Sequence, residues 1–260
     1  MRLGSLCTGY GGLDMGVAAH YATTPAWCSD NDPDCARVLD ARLPGVPNLG
    51  DLTTVDWGQV EPVDIVSAGF PCQPVSLAGN RRRAGMDDER WIWDEIRVAV
   101  GILRPRIVVL ENVAAVTLIG GARVVGDLAT LGFDCRWGVV QASDAGAPHR
   151  RARWFCVATH PDIEGPQGHG EDGLPEAGGQ VDPAWGDYGA AIQRWEWVIG
   201  RAAPAPVTDD KLSSRFVEWM MGLPAGWVTD IGLSRAQELK ILGNGVVPAQ
   251  AKLALELLGV

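Results

Sequence analysis

The sequence is poor in lysine, with only Lys211, Lys240 and Lys252, so its basic character rests almost wholly on arginine. Arginine is the better bidentate partner for phosphate and guanine. The net charge of −10, from 22 basic and 32 acidic residues, disfavours a protein that coats nucleic acid, yet permits a local basic cleft. No apolar run is long enough to cross a bilayer, and the first residues, Met1 to Ser5, carry no apolar core of a signal peptide. Cysteines 7, 28, 35, 72, 135 and 156 form no C-x-x-C pair, which argues against a zinc site or a disulfide scaffold. A reducing cytoplasm is the expected compartment. Histidine is scarce, at 20, 149, 160 and 169, and none sits in a motif that would serve a cysteine hydrolase.

What is present is an α/β pattern in a chain of 260 residues with 47% hydrophobic content, enough for one large domain or one domain plus a small one. The apolar run Asp64 to Ala68 reads as a buried parallel strand. It breaks at Gly69-Phe70-Pro71 and presents Cys72 where such a strand would end. Ligands in open α/β sheets gather outside the carboxyl ends of strands, so Cys72 is a candidate nucleophile. The competing reading is a small buried apolar residue, the fate of most free cysteines.

At the start of the chain, the strand Arg2 to Cys7 runs into Thr8-Gly9-Tyr10-Gly11-Gly12 and then a helical pattern from Leu13 to His20. Strand, glycine turn and helix N-terminus form a cradle for a nucleotide-like ligand, although G-x-G-G is not the dinucleotide spacing and equally fits a tight turn. A second strand, Pro25 to Ser29, ends at Asp30-Asn31-Asp32-Pro33 before a helix from Asp34 to Leu43. A carboxylate there suits ribose hydroxyls, and Asp or Asn there also caps a helix. Asp51, followed by Leu52, adds an acid at the same edge.

Residues 74–90 read as a long polar loop with Arg81, Arg82 and Arg83 between Gly79 and Gly85, either an arm that meets phosphates or a solvated charge run. A helix is expected from Arg90 to Leu103. The strand Arg106 to Val113 contains Glu111; beside a parallel strand ending at Cys72, it would put a thiol and a partly desolvated carboxyl in one pocket. Two further strands, Asp134 to Gln141 and Arg153 to Thr159, are joined by Pro148 to Arg153, whose alternation places Arg151 and Arg153 on one face. From His160 to Asp210 the chain is rich in Gly, Pro, Asp and Glu and reads as an irregular insertion. Helices return at Ser213 to Met221, Ser234 to Leu242 and Pro248 to Leu258, with Pro248 at the favoured first position.

Taken together and in order, these motifs resemble the DNA (cytosine-5) methyltransferases over essentially the whole chain. Thr8 to Asp14 resembles the family's cofactor loop, with Leu6-Cys7 in place of a phenylalanine. Gly69-Phe70-Pro71-Cys72-Gln73 and Glu111-Asn112-Val113 resemble its two most specific catalytic motifs. Gln141 through Arg153 resembles its Q-x-R-x-R segment, with His149 for glutamine. Gly243-Asn244-Gly245-Val246 resembles its closing G-N-S-V motif, with Gly245 for serine.

The resemblance implies a Rossmann-like S-adenosylmethionine-dependent methyltransferase sheet with helices on both faces, plus a small irregular target-recognition subdomain. Residues 1–159 would form the catalytic and cofactor-binding domain, 160–211 a short target-recognition insertion, and 212–260 a return to the catalytic domain. It implies methyl transfer to C5 of a flipped cytosine in double-stranded DNA, as in restriction-modification systems, through a covalent bond from Cys72 to C6. Pro71, Gln73, Glu111, Asn112 and Arg153 would assist. S-adenosylmethionine would lie against Thr8, Gly9, Tyr10, Gly11, Gly12 and Leu13, with Asp30, Asn31, Asp51, Leu52, Asn244 and Val246 around it. Ser76, Arg81, Arg82, Arg83, Arg151 and Arg194 would contact DNA, Arg194 within the cluster Gln193 to Trp197. A monomer without metal is expected. Two alternatives accompany this reading: a methyltransferase of the same fold acting on transfer RNA, and a non-catalytic DNA-binding relative, which would be expected to lose Cys72 or Glu111.

Overall fold

A computed structural model describes residues 1–71, 91–160 and 183–260. The architecture is a six-stranded mixed sheet between helices. In chain order the elements begin with β1 (Arg2–Leu6), α1 (Gly12–Tyr21), β2 (Thr24–Ser29), α2 (Pro33–Arg42) and β3 (Ile65–Gly69). They continue with α3 (Trp93–Leu103), β4 (Ile107–Val113), α4 (Val116–Ile119), α5 (Gly121–Thr130), β5 (Asp134–Val140) and β6 (Arg153–Thr159). The last part holds α6 (Gly189–Ile199), a two-residue-per-strand hairpin of β7 (Val207–Thr208) and β8 (Lys211–Leu212), α7 (Ser214–Met220), α8 (Arg235–Asn244) and α9 (Pro248–Leu258).

Strand order is β2-β1-β3-β4-β6-β5. The first four strands in this order are parallel, and β6 runs antiparallel to both β4 and β5. The central strands are buried on both faces, which explains their near-continuous apolar runs. Alternate residues divide between two cores. Val66, Ala68, Val108 and Leu110 face Trp93, Ile96, Val124 and Leu128 of α3 and α5. Ile65, Ile107, Val109, Phe155 and Val157 face Leu13, Val17, Ala251 and Leu255 of α1 and α9. A third core lies beside the sheet and joins Ile192 and Trp195 of α6 to Trp219, Val228, Ile241 and Leu242.

The sheet direction decides where the chemistry can gather. β1, β3 and β4 deliver their carboxyl ends to one edge, with Gly69 opposite Glu111. Because β6 is antiparallel, its first residue, Arg153, comes to that same edge opposite Val113.

Three expectations need correction. Helix α3 begins at Trp93 rather than at Arg90, which lies outside the described residues. Within the segment expected to be irregular, Gly189–Ile199 is a regular helix, because Ile192 and Trp195 recur at helical spacing and reach the third core. The strand alternation proposed through Arg151 fails. Arg151 has φ +36 and lies two residues before β6, so strand alternation does not extend to it. Its guanidinium goes to the Gly243 and Gly245 carbonyls, while that of Arg153 goes to Glu111.

Candidate active site

The turn after β1 is shaped by two left-handed glycines, Gly9 (φ +59) and Gly11 (φ +83), a conformation that costs an L-residue with a side chain. The Gly11 N–H closes the turn on the Thr8 carbonyl at 2.9 Å. The Gly9 N–H donates to Asp30 Oδ2 at 2.7 Å, so the acid ending β2 fixes the glycine turn. Burial pushes the Asp30 carboxyl above its ordinary range. Asp32 caps α2 through its Oδ1, and its other oxygen meets Lys240 Nζ at 2.6 Å. The helix-capping role expected for this acidic stretch falls to Asp32, while Asp30 fixes the glycine turn and lines the cleft beside it. Asp51 accepts from the Thr53 N–H and hydroxyl, which holds it below the usual carboxylate range.

These groups line a cleft of about 700 Å³ along the carboxyl edge of the sheet. Thr8, Gly9, Gly12, Leu13, Asp30, Asn31, Asp51, Leu52, Asn244 and Val246 border one end; Pro71, Glu111, Asn112 and Arg153 border the other. Tyr10 and Gly11 are the two residues of the expected cofactor turn that do not face it. The Tyr10 ring is turned inward, with its hydroxyl donating to the Val246 carbonyl at 2.6 Å. Its ring also explains Gly245, since a Cβ there would come within 1.9 Å of it.

At the second end, Glu111 Oε1 lies 2.9 Å from Arg153 Nε. The Glu111 side chain is only 8% exposed. Burial raises its pKa from 4.5 to about 7, with Arg153 and Arg151 opposing the rise. Near neutrality this carboxyl can therefore give up or take a proton. Asn112 Nδ2 donates to the Phe70 carbonyl at 3.1 Å, and its Oδ1 accepts from the Val113 N–H at 2.8 Å. It thus ties the end of β4 to the residue before Pro71. Phe70 itself is wedged against Trp91 and Trp93.

Cys72, Gln73, Ser76, Arg81, Arg82 and Arg83 lie outside the described residues. Arg151 donates to the carbonyls of Gly243 and Gly245 at 2.8 and 2.5 Å. Its guanidinium is thus committed to bracing the segment before Val246 instead of standing free for phosphate. Arg194 reaches the Gly146 carbonyl at 3.4 Å. The aromatic cluster around it divides: Trp195 is fully buried and Trp197 is 65% exposed.

Several residues that shape the cleft were missed from the sequence. Lys240 and Ile92 line it, yet only the fold brings α8 to the start of α2 and Ile92 to the end of β3. Cys7 lines it too, in a left-handed conformation with φ +52; its place beside the glycine turn was the available signal. Asp14 is linked to Ser67 Oγ at 2.5 Å and supports the turn from below the sheet edge. Among the described residues no group of histidines, cysteines and acids could hold a metal ion.

Residues 1–181 match the C-5 cytosine-specific DNA methylase family. Type II methyltransferase M.BsuFI of Bacillus subtilis is 30% identical over 162 residues, covering 61% of this chain and 39% of that protein. Type II methyltransferase M2.BsuMI of Bacillus subtilis strain 168 is 26% identical over 286 aligned positions, covering 95% of this chain and 72% of that protein. The matches to M.BsuFI, M.CviJI of a Chlorella virus and M.NgoBI of Neisseria gonorrhoeae span 39%, 43% and 50% of those proteins. In fold, the chain is similar to the Entamoeba histolytica methyltransferase EhMeth, with a TM-score of 0.70 at 15% identity over 99% of this chain and 97% of that one. It is also similar to the S. pombe Dnmt2 methyltransferase, with a TM-score of 0.66 at 14% identity over the full length of both.

Proposed function

The chain belongs to the C-5 cytosine-specific DNA methylase family, and from that premise we propose that it methylates C5 of cytosine in double-stranded DNA, using S-adenosylmethionine. The observation that carries the reading is Glu111: a buried acid with a pKa near 7, paired with Arg153, at the strand edge where Pro71 leads into Cys72.

The cleft fits the cofactor by chemistry. Its adenosyl end would meet a glycine turn that brings backbone close, two carboxylates at Asp30 and Asp51, and the apolar side chains of Leu13 and Leu52. Carboxylates accept ribose hydroxyls and suit a cationic ligand, whereas they would repel a phosphate. The volume lies within the ordinary range of ligand sites, roughly 300–1,000 Å³. When bound, S-adenosylmethionine supplies the electrophilic methyl group that C5 takes up.

The chain's own residues would do the rest. Cytosine C5 is too weak a nucleophile until a thiolate adds to C6. The Cys72 sulfur forms the S–C6 bond, the C5–C6 π electrons move toward C5, and negative charge builds on the ring. Glu111 donates its proton to N3 as this happens, and Arg153 stabilises the carboxylate that remains. After methylation, loss of the C5 proton to water restores the double bond and expels the thiolate. Asn112, through the Phe70 carbonyl, would hold the backbone that presents Cys72 and is a positioning residue. Such chemistry cannot reach a stacked base, so the cytosine would be flipped from the duplex.

DNA contact would fall to Ser76, Arg81, Arg82 and Arg83, with Arg194 and the exposed Trp197 of α6 facing bases. The segment 160–211 is acidic, with Arg194, Arg201 and Lys211 as its basic residues, so phosphate neutralisation would come mainly from elsewhere. The test is bisulfite sequencing of DNA from cells expressing the protein, with transfer RNA sequenced in parallel. Methylcytosine in a fixed DNA context is expected; methylation of transfer RNA alone would overturn the DNA assignment.

A further inference from the structure

The loop 222–230 crosses over the glycine turn from a distant part of the chain. Trp227 Nε1 donates to the Tyr10 carbonyl at 2.9 Å. Tyr10 is the one residue with a side chain between the left-handed Gly9 and Gly11. Glycine has the largest conformational freedom to lose on ordering, so this turn needs an anchor from outside. The Tyr10 hydroxyl is held by the Val246 carbonyl, which fixes the ring. The Trp227 bond fixes the peptide plane between Tyr10 and Gly11.

The Trp227 loop is itself built to stay still. Glu218, on α7, is 2% exposed. Its carboxylate accepts from the N–H groups of Gly226, Val228 and Thr229 at 2.7, 2.6 and 3.1 Å. The Thr229 hydroxyl adds a fourth bond at 3.1 Å. A buried carboxylate with four donors is well satisfied. From α2, Arg42 donates to the carbonyls of Trp227 and Gly226, and its guanidinium lies 5.8 Å from the Trp227 ring centre.

We propose that Trp227 is a positioning residue for the cofactor turn: acting through the Tyr10 carbonyl, it holds Thr8 to Gly12 in the form that receives S-adenosylmethionine. Pre-ordering a binding loop raises affinity by sparing the ligand the cost of ordering it. This rests on the cofactor assignment above.

The test compares wild type, Trp227→Phe and Ile192→Ala, all as the full chain. Phenylalanine keeps a ring under Arg42 but removes the donor. Ile192→Ala loosens the same core, of which the Tyr10 ring is also part, but leaves the Trp227–Tyr10 hydrogen bond in place. Amide hydrogen exchange of the peptide spanning residues 8–13, without ligand, should accelerate about five- to tenfold in Trp227→Phe, the scale of one lost hydrogen bond, and stay at the wild-type rate in Ile192→Ala. Calorimetry should show Trp227→Phe weakening S-adenosylmethionine by a similar factor. At saturating cofactor its kcat and its KM for DNA should match wild type. Unchanged exchange in Trp227→Phe, or equal acceleration in Ile192→Ala, overturns the proposal. Accelerated exchange in a protein whose wild type binds no S-adenosylmethionine upholds the brace and instead refutes the cofactor assignment.

Discussion

Glu111 and Arg153 meet at 2.9 Å between Oε1 and Nε because an antiparallel strand has been set beside a parallel one. The register puts Arg153 opposite Val113, two residues past Glu111, so the guanidinium leans diagonally onto the acid. Desolvation outweighs this pairing and leaves the acid with a pKa near 7. Activity that depends on a protonated Glu111 should therefore fall as pH rises above about 7. A pH–rate profile checks this, and a rate still rising through pH 9 would contradict it.

The same shift has a consequence for stability. The folded pKa, about 7, lies above the ordinary 4.5, so the group favours folding below pH 4.5 and that contribution is lost as pH rises through about 7. Glu111→Gln should abolish methylation, yet its Tm relative to wild type should be higher at pH 8 than at pH 5. Each kcal/mol is worth about 2–4 °C in a chain of this size. Thermal melts at the two pH values decide it; a constant difference would mean that the acid is not held protonated.

Gly245→Ser should be disruptive although serine is the residue the family motif leads one to expect. A Cβ at 245 would come within 1.9 Å of the Tyr10 ring, and overpacking of this kind costs roughly 1–3 kcal/mol. A drop in Tm and in cofactor affinity is expected, with partial recovery in Tyr10→Leu/Gly245→Ser. A single variant as stable as wild type would show that the ring moves freely aside.

Asn112→Ala should leave cofactor binding intact while lowering kcat by roughly 10- to 100-fold, the usual scale for misplacing a reacting group by about 1 Å. Single-turnover kinetics separate the chemical step from binding. Loss of cofactor affinity with kcat preserved would assign Asn112 a different role.

Arg194→Ala should shift the spectrum of methylated sites, by roughly 1–3 kcal/mol of discrimination if the contact is bidentate to a base, with cofactor affinity unchanged. Bisulfite maps identical to wild type in site and level would remove Arg194 from recognition.

The parts of the molecule that could be read from sequence are those encoded by local pattern. The apolar runs ending at Gly69 and Val113 announce buried parallel strands, and the acid two residues before Val113 falls at the expected edge. The turn Gly9 to Gly12 and the start of α9 at Pro248 follow from backbone chemistry alone. The illegible parts depend on distance. Trp227 is 217 residues from the carbonyl it holds, and nothing near it in sequence marks a partner. Arg151 was expected to share a face with Arg153 because period-two alternation was carried two residues ahead of the start of β6; its φ of +36 breaks the alternation there. Helix α6 was hidden by the glycine- and acid-rich stretch before it, while the apolar positions Ile192 and Trp195 are too few to signal a helix until their packing partners are known.

The central claim is that Cys72 attacks C6 while Glu111 supplies the proton. It is tested most directly by incubating the protein and S-adenosylmethionine with duplex DNA carrying 5-fluorocytosine in place of cytosine. Fluorine at C5 cannot leave as a proton does, so the S–C6 bond cannot be released. A complex that survives denaturation and maps by mass spectrometry to Cys72 is expected, absent from Cys72→Ser and strongly reduced in Glu111→Gln. Methylation of ordinary cytosine by wild type with no trapped adduct, or wild-type methylation by Cys72→Ser, would contradict the covalent mechanism.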